Sequence, residues 1–261
     1  MKIIFFGATK FSEELLDHLL ENNIKPICLF TIPEEFSISY SETKVKNYNY
    51  SDINKIAVRN NIPCYYIDSS EHEKITNDYF ELINKLKPDL ILILGWYYFV
   101  PKKIRDIAPH GAWGIHASLL PSYAGGAPLV WAMINGEKET GVTLFKLDDG
   151  IDDGDIIAQN KIVIEFHDTI KEVYDKVILD SKKILLNAII NIDNIKFKKQ
   201  NKDQLTIYPQ RKPDDGEIDF ERSSMEIYNF IRAQSFPYPG AFFRTVDGKK
   251  IIIEKAKIQD S

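Results

Sequence analysis

A chain of 261 residues with 44% hydrophobic and 27% charged content has globular composition, and length enough for one large domain plus a small appendage. Its net charge of -5 runs against a strongly basic nucleic-acid binder, because phosphate contacts dominate that affinity and demand a dense Lys/Arg surface. No internal repeat or low-complexity tract stands out beyond a mild Ile/Asn/Lys bias.

The first element begins at once. Residues 2–6 form an apolar, strand-like run with no basic segment, long apolar core or small-residue cleavage site ahead of it, so a cytoplasmic location is expected. Residues 7–12 contain Gly7 but neither the three-glycine dinucleotide fingerprint nor the glycine-lysine phosphate loop, which leaves a nicotinamide cofactor unsupported. Residues 11–21 set Phe11, Leu15 and Leu19 on one helical face, and residues 27–32 form a second apolar run. The polar, aperiodic stretch 33–50 is the kind of long loop that is either functional or mobile. Ser51 and Asp52 can cap a helix running to Asn60. Further apolar runs follow at residues 64–67 and 90–94. Cys28 and Cys64 lie inside two of these runs without the spacing of a zinc site, and read as buried, reduced thiols.

The longest apolar run, residues 90–100, is interrupted by Gly95 and too short to cross a bilayer as a helix, so no membrane insertion is expected. Runs that are apolar almost throughout suit strands buried on both faces, and here they alternate with helix-period segments. The alternation predicts an α/β fold: an open, mostly parallel Rossmann-like sheet with helices on both faces and a ligand crevice beyond the carboxyl ends of its strands.

At residues 114–128 an apolar strand ends in His116 and passes into a glycine- and proline-rich loop. A histidine at such an edge can titrate near neutral pH and transfer protons, although a lone histidine is often structural. Extended stretches at residues 142–147 and 156–164 flank Asp148, Asp149, Asp152, Asp153 and Asp155, which surround Gly150 and Gly154. This acidic turn reads as a metal loop, a solvated turn or the source of one carboxylate serving His116, but it lacks the ligand register and distal Glu of a calcium hand. No metal is expected. A long helix from about Thr169 to Ile190 closes the main domain, and the turn-rich segment 208–216 leads to a smaller unit with one helix and short strands. The expected division is a catalytic domain at 1–200 and a small carboxyl-terminal α+β subdomain at 201–261.

Together, Gly114-Ile115-His116-Ala117-Ser118-Leu119-Leu120-Pro121-Ser122-Tyr123 and the turn around Asp152 and Gly154 resemble the folate-dependent formyltransferases: the methionyl-tRNA, glycinamide-ribonucleotide and amino-sugar enzymes. The resemblance spans nearly the whole chain. In that family a histidine precedes Ser-Leu-Leu-Pro-x-Tyr and an aspartate lies in a later Asp-x-Gly turn; residues 131–137 and 140–144 match the segments between them. Two positions depart from the pattern. Gly114 stands where the family has the asparagine of Asn-x-His, and Ala124 stands where many relatives carry arginine.

The resemblance implies His116 and Asp152 as the catalytic pair and 10-formyltetrahydrofolate as the co-substrate. His116 would donate to an oxyanion or shuttle a proton, and Asp152 would orient the ring or help deprotonate the amine. Gly95, Trp96, Tyr97 and Tyr98 resemble the segment bordering the folate site, with Asp148 and Asp149 on its other wall; an aromatic core cluster is the plainer reading of that run. Gly114, Ser118, Tyr123, Arg211 and Lys212 are the expected substrate contacts. The other histidines, His18, His72, His110 and His167, fall outside the matched segments and receive no role.

For the acceptor, residues 210–220, 231–233 and 237–242 look like the second-domain junction of sugar formyltransferases. The short carboxyl-terminal unit and acidic charge favour a dTDP- or UDP-linked amino deoxysugar, destined for a surface glycan such as lipopolysaccharide O-antigen, over methionyl-tRNA. No stable nucleic-acid partner is expected, and a homodimer stays open. With Gly114 in the asparagine position, a formyltetrahydrofolate hydrolase or a non-catalytic folate-binding module is the alternative of another class.

Overall fold

The computed structural model describes residues 1–37, 43–47, 49–67 and 74–259. His72 lies outside them, as do residues 38–42 and 48 of the polar stretch. The first half of the chain runs β1 (Ile3–Phe6), α1 (Lys10–Glu21), β2 (Cys28–Thr31), β3 (Glu35–Phe36), β4 (Val45–Lys46), α2 (Ile53–Arg59), β5 (Cys64–Tyr66), α3 (Lys74–Leu86), β6 (Leu90–Ile93), α4 (Lys102–Arg105), β7 (Ala112–His116) and β8 (Ala124–Gly125). The second half runs α5 (Pro128–Ile134), β9 (Glu139–Lys146), β10 (Ile156–Val163), α6 (Ile170–Ile190), β11 (Ile207–Tyr208), α7 (Ser224–Gln234), β12 (Ala241–Arg244) and β13 (Lys250–Ile253).

Seven strands form one sheet in the order β10-β9-β7-β6-β1-β2-β5. The five from β5 to β7 are parallel, and β9 and β10 add an antiparallel hairpin beside β7. The expected α/β sheet is present. The period-two alternation of a strand explains its two-sided core. In β1, Ile3 and Phe5 pack into one cluster with α1, α2 and α6, whereas Ile4 and Phe6 pack into the other with α3 and α4. Each such fully buried side chain contributes about 1.5–3 kcal/mol. Cys28 and Cys64 fall on opposite faces, Cys28 buried and Cys64 half-buried, and burial pushes both thiols up to about 12.

The chain leaves β1 toward β2 and β5, then crosses back to β6 on the other side of β1, so the sheet's switch point lies between β1 and β6. Turn chemistry is tight there. Thr9 and Ser12 form a capping box at the start of α1, and Ser12 Oγ donates to Leu94 O at 2.5 Å. Gly95 follows with φ +65, and a Cβ there would collide with the Thr9 and Ser12 hydroxyls.

The helix at 53–59 begins after Asp52, yet the Asp52 side chain makes no cap bond, and the Ser51 hydroxyl donates to Glu13 Oε2 at 2.6 Å instead. The polar stretch carries the short antiparallel pair β3–β4. Thr169 caps α6 as expected, with Glu172 Oε2 accepting the Thr169 N–H at 2.8 Å. Past α6, α7 packs on α5 and is tied down by buried Arg232, which donates to Glu165 O and Asp168 O at 3.0 and 2.9 Å. The antiparallel pair β12–β13 completes a small core of Ile218, Ile231 and Ala241. Among the described residues, no helix is long and apolar enough to cross a membrane.

Candidate active site

His116 is the last residue of β7, at the carboxyl-terminal edge of the sheet and 9% exposed. The chain then turns sharply, and its polar groups are pinned from below. Thr143 Oγ1, on β9, donates to Ser118 O at 2.7 Å and accepts from Leu120 N, while Gln159 on β10 donates to Leu120 O at 2.9 Å. Ser118 Oγ donates to Ser122 O at 2.6 Å. Three residues in the next stretch, Tyr123, Gly125 and Ala127, have positive φ. Such angles cost free energy in non-glycine residues and persist only where the surroundings impose them.

What imposes them is the junction segment. Strand β11 lies parallel against β8, Tyr123 N donates to Thr206 Oγ1 at 2.8 Å, and Gly126 N donates to Tyr208 O at 2.8 Å. A Cβ on Gly125 would sit 2.5 Å from Tyr208 O, so glycine is needed for the two backbones to approach. The Tyr123 ring stacks on Tyr208 with centroids 4.7 Å apart, and its hydroxyl donates to Glu137 Oε1 at 2.7 Å.

Within this frame His116 and Asp152, the pair expected from the sequence, meet. His116 Nε2 donates to Tyr123 O at 2.7 Å, and Nδ1 lies 3.5 Å from Asp152 Oδ2. Asp152 Oδ2 accepts from Gly125 N at 2.9 Å, and Gln200 Nε2 holds the turn by donating to Asp152 O and Gly154 O at 2.6 and 2.7 Å. Each ring nitrogen faces an oxygen acceptor, so a ring that takes up a second proton during a reaction finds both N–H groups partnered.

The pair opens on a chamber of about 460 Å³, whose wall includes Gly95, Trp96, Tyr98, Gly114, Asp148 and Asp152. Trp96 Nε1 is buried with no hydrogen-bond partner among the described residues. With Trp96, Tyr98, Phe99 and Phe145 in its lining, the chamber suits a flat ring system. Gly114 is tightly neighboured: a Cβ there would lie 3.2 Å from Leu147 Cδ2 and 3.4 Å from Phe145 Cε1.

A second chamber, of about 340 Å³, lies at the junction and is lined in part by Lys46, Tyr97, Tyr174, Arg211, Lys212 and Tyr238. The two share a partition. Trp96 and Tyr98 line the first and Tyr97 the second; Gly125 lines the first and Ala127 the second. Arg211 lies over the Trp131 ring at 4.8 Å and donates to Gln234 Oε1 at 2.8 Å, and its burial lowers its pKa from the usual value. Lys212 makes no ion pair among the described residues.

The expected site residues thus divide. His116, Asp152, Gly95, Trp96, Tyr98, Asp148 and Gly114 share the first chamber, and Arg211 and Lys212 line the second. Tyr97 turns to the second chamber, where its hydroxyl donates to Asn47 Oδ1 at 2.9 Å, because side chains alternate along the extended turn. Asp149 points to Arg105 instead of the chamber wall. Ser118 and Tyr123 spend their polar groups inside the loop and its supports. Gln159 and Gln200, which fix the loop and the turn, carry no motif or periodicity in the sequence that marks them, and Thr143, though inside the matched segment 140–144, has nothing there that marks its support of the loop. The acidic turn is dispersed among Arg105, His116 and Lys202, and no group of three or more metal-binding side chains occurs among the described residues.

Residues 1–189 match the family model for formyl transferase, and residues 211–261 match that for the formyl transferase C-terminal domain. A methionyl-tRNA formyltransferase of Alkaliphilus oremlandii is 32% identical over 263 residues, covering 100% of this chain and 81% of the relative. The bifunctional polymyxin resistance protein ArnA of Wigglesworthia glossinidia brevipalpis is 35% identical over 260 residues, covering 99% of this chain and 38% of the relative. Among solved structures, the N-formyltransferase from Helicobacter canadensis, in complex with folinic acid and dTDP-3-aminofucose, shares the fold. Its TM-score is 0.72 at 23% identity, over 97% of this chain and 86% of that one. A sugar N-formyltransferase from a Shewanella species gives 0.73 at 17% identity, over 100% and 99%.

Proposed function

The chain belongs to the formyl transferase family, and from that premise we propose that it moves a formyl group from 10-formyltetrahydrofolate to the primary amine of a nucleotide-linked amino deoxysugar. The observation that carries this reading is the pair of adjoining chambers, one holding the His116–Asp152 pair behind an aromatic wall and the other edged by Lys46, Arg211 and Lys212. A flat pterin suits the first, whose wall includes Trp96 and Tyr98. The second is a bounded cavity with cationic edges, suited to the diphosphate of a small acceptor, on a chain whose net charge of -5 disfavours a polyanion. The division into a catalytic unit at 1–200 and a smaller unit at 201–261 belongs to the same proposal, the latter closing the second chamber with residues 237–240.

Attack of an amine on a formyl carbon builds negative charge on the formyl oxygen and leaves a proton to be lost from nitrogen. His116 borders this chamber, and to donate to that oxygen or carry that proton its ring exchanges the Nε2 bond to Tyr123 O for one to the substrate. Asp152, facing Nδ1 at 3.5 Å, steadies the ring while it is charged. An acceptor and a donor held in the adjoining chambers would gain acceleration from that positioning.

The methionyl-tRNA formyltransferases that are about one-third identical to the chain support a second acceptor, the amino acid on initiator tRNA. One experiment decides between them. The protein is incubated with 10-formyltetrahydrofolate and, in parallel, with dTDP- and UDP-linked 3- and 4-amino deoxysugars or with charged initiator tRNA, and products are followed by mass spectrometry. A formylated nucleotide sugar is expected. Formylation of the tRNA alone, or formate release without any acceptor, would replace this reading.

A further inference from the structure

Arg105 is a charged side chain only 5% exposed, at the end of the short helix α4, and the chemistry assigned to His116 and Asp152 makes no use of it. Burying a guanidinium is costly unless its donors are well met, and an apolar residue of similar size often serves packing as well. Its three nitrogens reach three different acceptors. Nε donates to Val100 O at 3.0 Å, Nη1 donates to Leu147 O at 3.0 Å, and Nη2 is bonded to the Asp149 carboxylate.

Those acceptors lie on two separate segments, and Val100 and Leu147, like Arg105 itself, line the first chamber. Val100 ends the aromatic wall that begins at Gly95, whereas Leu147 and Asp149 lead into the turn that carries Asp152. Leu147 is also the side chain that packs closest to Gly114. The guanidinium lies beside the Phe99 ring as well, 5.7 Å from its centroid. We propose that Arg105 is a positioning residue that clamps the aromatic wall to the acidic turn, fixing the width of the catalytic chamber and with it the affinity for the folate donor. This rests on the reading that the chamber holds the folate.

The three grips are unequal. Asp149 is 63% exposed, so solvent weakens that ion pair, and the two buried carbonyl bonds carry most of the clamp. A lysine has one ammonium and can reach only part of the set, whereas methionine keeps the bulk and loses every donor.

The test measures binding of folinic acid, a stable folate probe, together with KM for both substrates and the melting temperature, in Arg105→Met, Arg105→Lys and Asp149→Asn. Arg105→Met is expected to weaken folinic acid binding and raise the donor KM about tenfold, with the acceptor KM within about twofold of wild type. Arg105→Lys should fall between, and Asp149→Asn should weaken the probe by about twofold to threefold. A folded Arg105→Met protein with wild-type folinic acid affinity overturns the clamp, as do losses that affect both substrates' KM equally. If Arg105→Met does not fold, Asp149→Asn decides, and unchanged probe affinity there overturns the proposal. Wild-type protein that fails to bind folinic acid at all overturns the folate reading, and the clamp with it.

Discussion

Around His116, the chamber is walled by strand ends and by a loop whose turns are bonded to β9, β10 and the junction strand; the chamber beside it is edged by long side chains from segments that meet only in the tertiary fold. In the first, backbone atoms hold the paired side chains: Tyr123 O and Gly125 N fix His116 and Asp152. In the second, Lys212 presents charge on a flexible stem, and Lys46 sits at the edge in an ion pair with Glu34 at 3.2 Å. On the proposed function, the difference separates two tasks. Proton transfer at a formyl group tolerates little displacement, whereas holding an anion at the far end of an acceptor tolerates more. Loss of the His116–Asp152 pair should therefore appear in turnover, and damage to the second chamber in acceptor affinity.

The largest expected effect is that of His116→Ala, which should lower kcat by about a hundredfold or more with the fold intact, as loss of an aligned proton-transfer group commonly does. Steady-state kinetics on the purified variant check this, and near-normal turnover would remove His116 from the mechanism. Asp152→Asn keeps its shape and an acceptor for Gly125 N but loses its charge, so its defect should lie in kcat more than in donor affinity. An unchanged rate would shift the role to another carboxylate, Asp148 or Asp153.

Gly114→Asn comes next. A restored amide donor would lower the barrier by about 2–4 kcal/mol if it reached the developing charge. The Cβ must first displace Leu147, 3.2 Å away, and the amide then projects into the chamber, so reduced turnover is expected. Measuring folinic acid binding alongside turnover separates a blocked donor site from a lost acceptor; a clear gain in rate would refute this account of the glycine. Lys212→Ala should act on the other chamber alone, raising the acceptor KM about fivefold with kcat unchanged. A fall in kcat without a KM effect would erase the contrast between the chambers. The smallest effect is expected from thiol chemistry. With Cys28 and Cys64 both pushed up to about 12 by burial, the thiolate fraction at neutral pH is minute, and iodoacetamide should leave the native protein's activity unchanged.

The same contrast governs what can be read from the sequence. The strand ending in His116 and its neighbours are legible because residues buried on both faces must be apolar in sequence, and α6 is legible because its cap and its period are local. The residue pair comes from the resemblance, and the structure brings the two side chains together. What holds them is not legible. Gln159, Thr143 and Gln200 bond to loop backbone distant in the chain, and such side-chain to backbone bonds leave no periodic trace. Arg105, with Lys102 and Lys103 close by, looks like part of a solvated basic turn, and only the fold buries it. The aromatic run 96–98 suggests a single wall, whereas the extended turn sends Tyr97 to the opposite side of the partition from Trp96 and Tyr98.

The division of labour between the chambers is tested most directly by calorimetric binding of the nucleotide amino sugar to His116→Ala, with its turnover measured on the same preparation. The account predicts acceptor affinity within about twofold of wild type alongside a turnover loss of about a hundredfold. Acceptor affinity that falls in step with turnover would contradict it, because His116 would then belong to the recognition site.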